Sequence, residues 1–176
     1  MSINIEIKSI ISDYDKARDR LRSLGIREEN TMYQKDIFYH VPFGRMKLRN
    51  INNTQHELII YFRHNAKSPK PSKYHRINTK HPGVINSILM HTFGIRGIVE
   101  KERLLFLQDN IRFHMDKVKG LGDYFEIEYV MNDCEVKDQA QEKVSLLLRM
   151  LDISDNQLIS ESYIDLILQQ AKQVIC

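Results

Sequence analysis

The chain has 176 residues, 42% hydrophobic and 28% charged, which suits one soluble domain with a core of its own. Its formal charge of +3 points only weakly to an anionic partner, so the placement of charge matters more than its sum. No apolar run reaches the roughly 20 residues of a bilayer span, and the first residues lack a signal-peptide core. Cys134 and Cys176 have neither metal spacing nor a disulfide framework. The expectation is a cytoplasmic, single-domain protein over residues 1–176, monomer or homodimer, with no membrane association.

In chain order, residues 2–8 alternate Ile3, Ile5 and Ile7 with Asn4, Glu6 and Lys8, the signature of a strand with one polar face. Ser12 followed by Asp15 resembles a capping box that opens a helix with Ala17, Leu21 and Leu24 on its apolar stripe, and Gly25 closes it. Residues 32–40 read as a second strand. A turn at 42–44 leads to a third, where Arg45, Lys47 and Arg49 alternate with Met46 and Leu48. A fourth strand covers 57–63. The basic, Pro-bearing stretch 65–72 reads as a loop, and 74–79 as a fifth strand with Arg76. Pro82 suits the first turn of a helix ending at Gly94. A sixth strand spans 97–107, and helices are expected over 135–151 and 160–174.

The stretch 111–129 is the most informative. Arg112, His114 and Asp116 alternate with Ile111, Phe113 and Met115; after a Gly120-Leu121-Gly122 turn, Glu126 and Glu128 alternate with Phe125, Ile127 and Tyr129. Three carboxylates on one face of a hairpin repel each other unless a cation or a basic partner sits among them. Short strands joined mostly by tight turns predict an antiparallel β architecture with helices on its apolar face. Alternation alone allows two places for the charged face: a solvated outer surface laced with ion pairs, or the interior of a closed barrel. Arg and Lys in strands suit phosphoryl oxygens, and clustered carboxylates suit Mg²⁺ or Mn²⁺.

Other signals are thinner. The seven histidines lack a tight ligand spacing, and no P-loop is present. His114 shares the Asp116 face as a polar filler. Tyr33, Phe38 and Tyr39 are expected in the core, and nucleic acid is not an expected partner.

Taken in order, NIEIK (4–8), KLRN (47–50), VEKERLLF (99–106), FHMDKVKGLGDYFEIEY (113–129) and SYIDLI (162–167) resemble the motifs of the CYTH family, the triphosphate tunnel metalloenzymes. The resemblance implies an α+β fold, an eight-stranded antiparallel β-barrel with flanking helices, binding a triphosphate-containing small molecule and Mg²⁺ or Mn²⁺. It implies substrate contacts from Lys8, Lys47, Arg49, Arg63, Arg76, Lys101 and Arg103. It implies metal ligation by Glu6, Asp116, Glu126 and Glu128, with Lys8, Glu126 and Glu128 in catalysis.

Three positions depart from the family pattern. Asn4 replaces the first glutamate of its ExExK motif, Asn78 a glutamate after the arginine of the fifth strand, and Ile164 an arginine of its SYRxL element. The expected activity is metal-dependent hydrolysis of inorganic, thiamine or nucleoside triphosphate. Cyclisation of ATP to cyclic AMP is one alternative, and a catalytically impaired triphosphate-binding module is another. An RNA triphosphatase role is weaker.

Overall fold

A computed structural model of the chain describes residues 2–132 and 135–173, so both cysteines lie outside the described residues. The elements are β1 (Ser2–Ile10), α1 (Tyr14–Ser23), β2 (Arg27–Tyr39), β3 (Arg45–Ile51), β4 (Gln55–Phe62) and β5 (Lys70–Asn78). They continue with α2 (Pro82–Phe93), β6 (Ile95–Gln108), β7 (Ile111–Val118), β8 (Gly122–Val130), α3 (Lys137–Met150), β9 (Leu158–Ile159) and α4 (Tyr163–Gln173). Neighbouring strands run in the order β5-β4-β3-β2-β6-β7-β8-β1, and β1 also pairs with β5, so eight antiparallel strands close into a barrel. The short β9 adds to the end of β1 through the pairs Lys8–Ile159 and Ser9–Leu158. Closure leaves the barrel proper without a free edge.

Alternation decides which side of the wall each residue takes. Ile5, Ile7, Phe113, Met115, Phe125 and Ile127 point outward and pack against Leu21 of α1 and Val144 and Leu148 of α3. Tyr39, Met46 and Leu48 do the same beneath Ile85 and Leu89 of α2. Phe38, Val99, Val118 and Tyr124 pack with Ile159, Tyr163 and Ile164, so α4 is seated at one end of the barrel. The apolar core therefore lies largely between wall and helices, and the polar residues of the same strands face the lumen.

Several local expectations are corrected. The cap of α1 is Asp13, which accepts from the Lys16 amide at 3.0 Å, and not Ser12. β2 begins at Arg27, five residues before the expected start. Its first residues pair only with β6 and carry a polar run without alternation, so the period-two signal is silent there. The stretch 65–72 is loop only in part, because β5 starts at Lys70, with Pro71 opposite Ile5. β4 reaches along β5 only as far as Lys73, so Pro71 has a strand neighbour on one side alone, where a missing N–H is tolerated. Tyr33 is exposed on the outer wall and does not join the core.

Ile164 is fully buried outside the lumen, and its Cδ1 sits 2.6 Å from where a Cβ on Gly97 would be. Glycine at 97 is what lets α4 lie this close to β6. Truncation by Ile164→Ala is expected to lower stability by about 2–5 kcal/mol. Urea unfolding should show a reduced midpoint at unchanged slope.

Candidate active site

The lumen holds a cavity of about 300 Å³ lined by eight cationic side chains (Lys8, Lys47, Arg49, Arg63, Arg76, Lys101, Arg103 and Arg112) and five anionic ones (Glu6, Asp36, Glu57, Glu126 and Glu128). Each enters by the same device: alternate residues of β1, β2, β3, β4, β5, β6, β7 and β8 point inward, and Arg63 follows directly on β4. Along β2 and β6 the lumen runs from Phe38 and Val99, beside Ser162 and Tyr163 of the α4 end, to Met32 and Leu105 at the other. Arg76 marks that second, open end, its side chain half exposed beside Glu57 at 3.6 Å.

The charges are organised in three groups. Asp36 binds Arg49 through both oxygens at 2.7 and 2.9 Å and Lys47 at 2.8 Å. Asp116, with 0% exposure, receives Arg103 at 2.6 Å on each oxygen, Lys101 at 3.0 Å and the Tyr163 hydroxyl at 2.8 Å. The third group spans β1 and β8, where Glu6 is register partner of Glu128 and Lys8 of Glu126. Here Arg63 donates to Glu6 at 2.8 Å and Lys8 lies 2.8 Å from Glu126. Arg103 also reaches Glu126 at 2.8 Å, Arg112 reaches Glu128 at 3.3 Å, and the Asn4 amide donates to Glu128. Tyr163 adds its ring, with the Lys8 ammonium 4.1 Å and the Lys101 ammonium 5.1 Å from its centroid.

Withdrawal from water sets the proton affinities. Burial alone would raise the carboxyls of Asp36 and Asp116, but the adjacent Arg49 and Lys47, and Arg103 and Lys101, outweigh it and hold both well below the usual range. Burial, reinforced by a neighbouring arginine, lowers the Lys47 ammonium to about 8 and that of Lys101 to about 7. Glu6 moves the other way, raised by burial and by the charges of Glu126 and Glu128 against the pull of Arg63 and Lys8. Burial and the Arg103 charge lower His114, 3.3 Å from Glu126, so its neutral form is favoured.

The family model of the CYTH domain matches residues 2–163. The chain belongs to the CYTH family. Members of this family are triphosphatases or adenylyl cyclases that bind triphosphate substrates and generally use divalent metals. A candidate adenylate cyclase of Methanocaldococcus jannaschii is 26% identical over 93% of this chain and 98% of its own. Among solved structures, a Pyrococcus horikoshii protein superposes with a TM-score of 0.82 at 20% identity, over 94% of this chain and 98% of its own. A Hippeastrum protein, a candidate adenylyl cyclase described as having a dominant triphosphatase activity, superposes at 0.65 with 12% identity, over 92% and 91%. The last two likenesses show the fold alone.

This CYTH chain brings Glu6, Lys8, Lys47, Arg49, Arg63, Lys101, Arg103, Glu126 and Glu128 around one cavity, with Arg76 at its mouth. Asp116 comes to the same place but differs in kind. It does not line the cavity, and its oxygens are taken by Arg103, Lys101 and Tyr163, so its position is that of a counter-ion holding cations in place. Two residues of consequence were not among the sequence candidates. Asp36 repeats the Asp116 arrangement on β2, and its alternation with Ile37 was the available signal. Tyr163 enters from the helix beside Ile164. Asn78 is exposed on β5 outside the cavity lining, so the departure there does not alter the lumen.

The donor chemistry at β1 and β8 fits a hard divalent cation. Glu6, Glu126 and Glu128 supply carboxylate oxygens, and the buried amide oxygen of Asn4 beside them has no hydrogen-bond partner. Asn4 thus keeps an oxygen where the family pattern has a carboxylate. Among the described residues no three acidic or histidine side chains already converge on one point, since each carboxylate is turned to a cation.

Because the folded-state carboxyl of Asp116 is depressed, its stabilisation is present above the ordinary carboxylate range and lost as the pH falls through the folded value. Asp116→Asn is expected to cost about 3–5 kcal/mol at pH 7 by leaving buried cations uncompensated. Urea unfolding of the two proteins should show the difference narrowing in acid.

Proposed function

We propose that this protein is a divalent-metal-dependent phosphohydrolase acting, in the cytoplasm, on a triphosphate-bearing small molecule held in the barrel lumen. The observation that carries this reading is the pairing of eight cationic side chains with a carboxylate group at β1 and β8 inside one cavity. A polyphosphate is the small anion whose charge and oxygen count match such a cradle, and phosphoryl transfer asks a protein mainly for positioning and charge neutralisation. Lys47, Arg49, Lys101 and Arg103 take phosphoryl oxygens, kept in place by Asp36 and Asp116. Lys8 and Arg63 close the cradle on the Glu126 and Glu6 side. Glu6, Glu126, Glu128 and the Asn4 oxygen would hold Mg²⁺ or Mn²⁺, which when bound would neutralise triphosphate charge and lower the proton affinity of water. Glu126 is kept ionised despite burial by Lys8, His114 and Arg103. It would be a carboxylate ligand to that cation and would orient the water beside it, its low proton affinity making it a weak base.

Cyclisation of ATP is the second reading, favoured by the M. jannaschii relative described as a candidate adenylate cyclase. Hydrolysis demands less, since water needs no fixed ribose hydroxyl. The test is incubation with Mg²⁺ or Mn²⁺ and, in turn, tripolyphosphate, thiamine triphosphate and ATP, assaying phosphate, pyrophosphate and cyclic AMP. Glu126→Gln and Arg49→Gln are each expected to lower turnover about 100-fold or more. Turnover indifferent to both would sink the mechanism, and pyrophosphate with cyclic AMP from ATP would select the cyclase.

The lysines add a pH signature. A Lys47 ammonium lowered to about 8 is partly neutral in slightly alkaline solution, and a bound anion favours its charged form. Tripolyphosphate binding should therefore take up protons near pH 8 and far fewer near pH 6. Calorimetry in buffers of different ionisation enthalpy measures this, and Lys47→Met should diminish the uptake.

A further inference from the structure

Helix α2 covers the barrel without being covered itself. Ile85 and Leu89 rest on the outer wall, yet none of the helix's residues is fully buried. The wall beneath carries one apolar row across five strands, Ile77–Leu58–Leu48–Ile37–Ile98, in direct register from β5 to β6. A helix is about 10 Å across and strands lie roughly 4.8 Å apart, so one helix covers about two of the five. The ends of the row stay bare, with Ile77 63% and Ile98 42% exposed. The outward side of α2 is bare too: Val84 is 60% and Ile88 58% exposed, with Gly83 and Ser87 open beside them. In a chain that is 28% charged, this helix holds no Asp, Glu, Lys or Arg. A helix that faces water carries charge on its outer side, whereas depletion of charge marks the centre of a protein interface.

Helical spacing gives this side a shape as well. Val84 and Ile88, four residues apart, form a ridge. Gly83 and Ser87 form a groove alongside it, where a Cβ on Gly83 would meet nothing within 4 Å. A face that holds both a ridge and the groove to accept it is complementary to itself under a twofold rotation. The area agrees. Val84, Ile88, Ile77 and Ile98, with Met90 and Phe93 at the end of α2, expose on the order of 500 Å² between them. That matches the apolar share of one side of a standard interface, which buries about 800 Å² per partner. We propose that a second copy of this chain docks here, pairing α2 with α2 antiparallel about a twofold axis near Ser87 and Ile88. Each helix sets its ridge into the groove of the other, and Ile77 and Ile98 form the periphery of the contact. The surface lies outside the lumen, so it stands independently of the reading of the site.

Sedimentation velocity of the full chain from about 1 to about 100 µM is the test, with a dimer expected at the upper end of the range. Ile88→Glu places a charge at the axis and should raise the dimer Kd about 100-fold or more. Gly83→Leu fills the groove, but it meets open space within one chain and favours the helix. It should therefore weaken the dimer about tenfold or more, while the monomer in dilute solution unfolds at no lower temperature. Leu146→Glu, at a half-exposed apolar position on α3, should leave the dimer intact. A monomer throughout the range would overturn the proposal, as would a dimer that survives either α2 variant or is dissociated by Leu146→Glu. Flotation of a monomer with anionic lipid vesicles, abolished by Ile88→Glu, would give this face to a membrane and overturn it equally.

Discussion

Asp116, shut off from solvent and bonded to Arg103, Lys101 and Tyr163, carries the central constraint on this fold. Two positive centres, Arg103 and Lys101, side by side in one lumen would repel each other unless an anion were fixed behind them. Asp36 does the same for Lys47 and Arg49. Two buried carboxylates thus let basic side chains be aimed inward and held still before any ligand arrives. The cost is ionised groups withdrawn from water, and it is bearable because every carboxylate in the group is paired several times over. Closure of the barrel is the other half of the arrangement, since an open sheet would let water screen these charges.

The wall and the lumen are two answers to one pattern. Along β7 and β8, Phe113, Met115, Phe125 and Ile127 face α1 or α3 while Arg112, His114, Glu126 and Glu128 face the cavity, so a change that shifted register by one residue would exchange core and site together. Helix α4 joins the two. Ser162 donates to Asp165 at its first turn, and Asp165 in turn binds Arg45 of β3 at 2.7 Å and Arg96 of β6 at 2.6 Å. That clamp sets Ile164 into the space left by Gly97 and swings Tyr163 into the charged lumen.

Much of this was legible in the sequence, because strand alternation is a strong signal wherever both kinds of residue are present. The hairpin of Asp116, Glu126 and Glu128 and the basic pairs on β3 and β6 could be placed on one face without coordinates. Ion pairs expected of a solvated surface do occur on the outer wall, as between Lys35 and Glu100, but the densest set lies inside the barrel. What could not be read was which carboxylates line the cavity and which stand behind the cations. Asp116 and Glu126 have the same charge and parity, and only the three-dimensional neighbours Tyr163 and Lys101 separate them. The lip of β2 was illegible for a different reason: REENT has no apolar partner set to betray its period. Asn4 looked like a loss of function by composition alone, yet its amide both satisfies Glu128 and keeps an oxygen in the group.

Strand β1 has three partners: β8 along its length, β5 beside its first residues and β9 at its end. It is the seam of the barrel, and its contact between Asn4 and Glu128 spans 124 residues. During synthesis this strand is made before each of its partners, and β8 and β9 follow it by most of the barrel. Closure is therefore the most non-local event in folding, a slow one by the cost of so long a loop. Until then Ile3, Ile5 and Ile7 form a bare β segment, so the piece that completes the ring is also the one that a nascent chain must keep from pairing elsewhere.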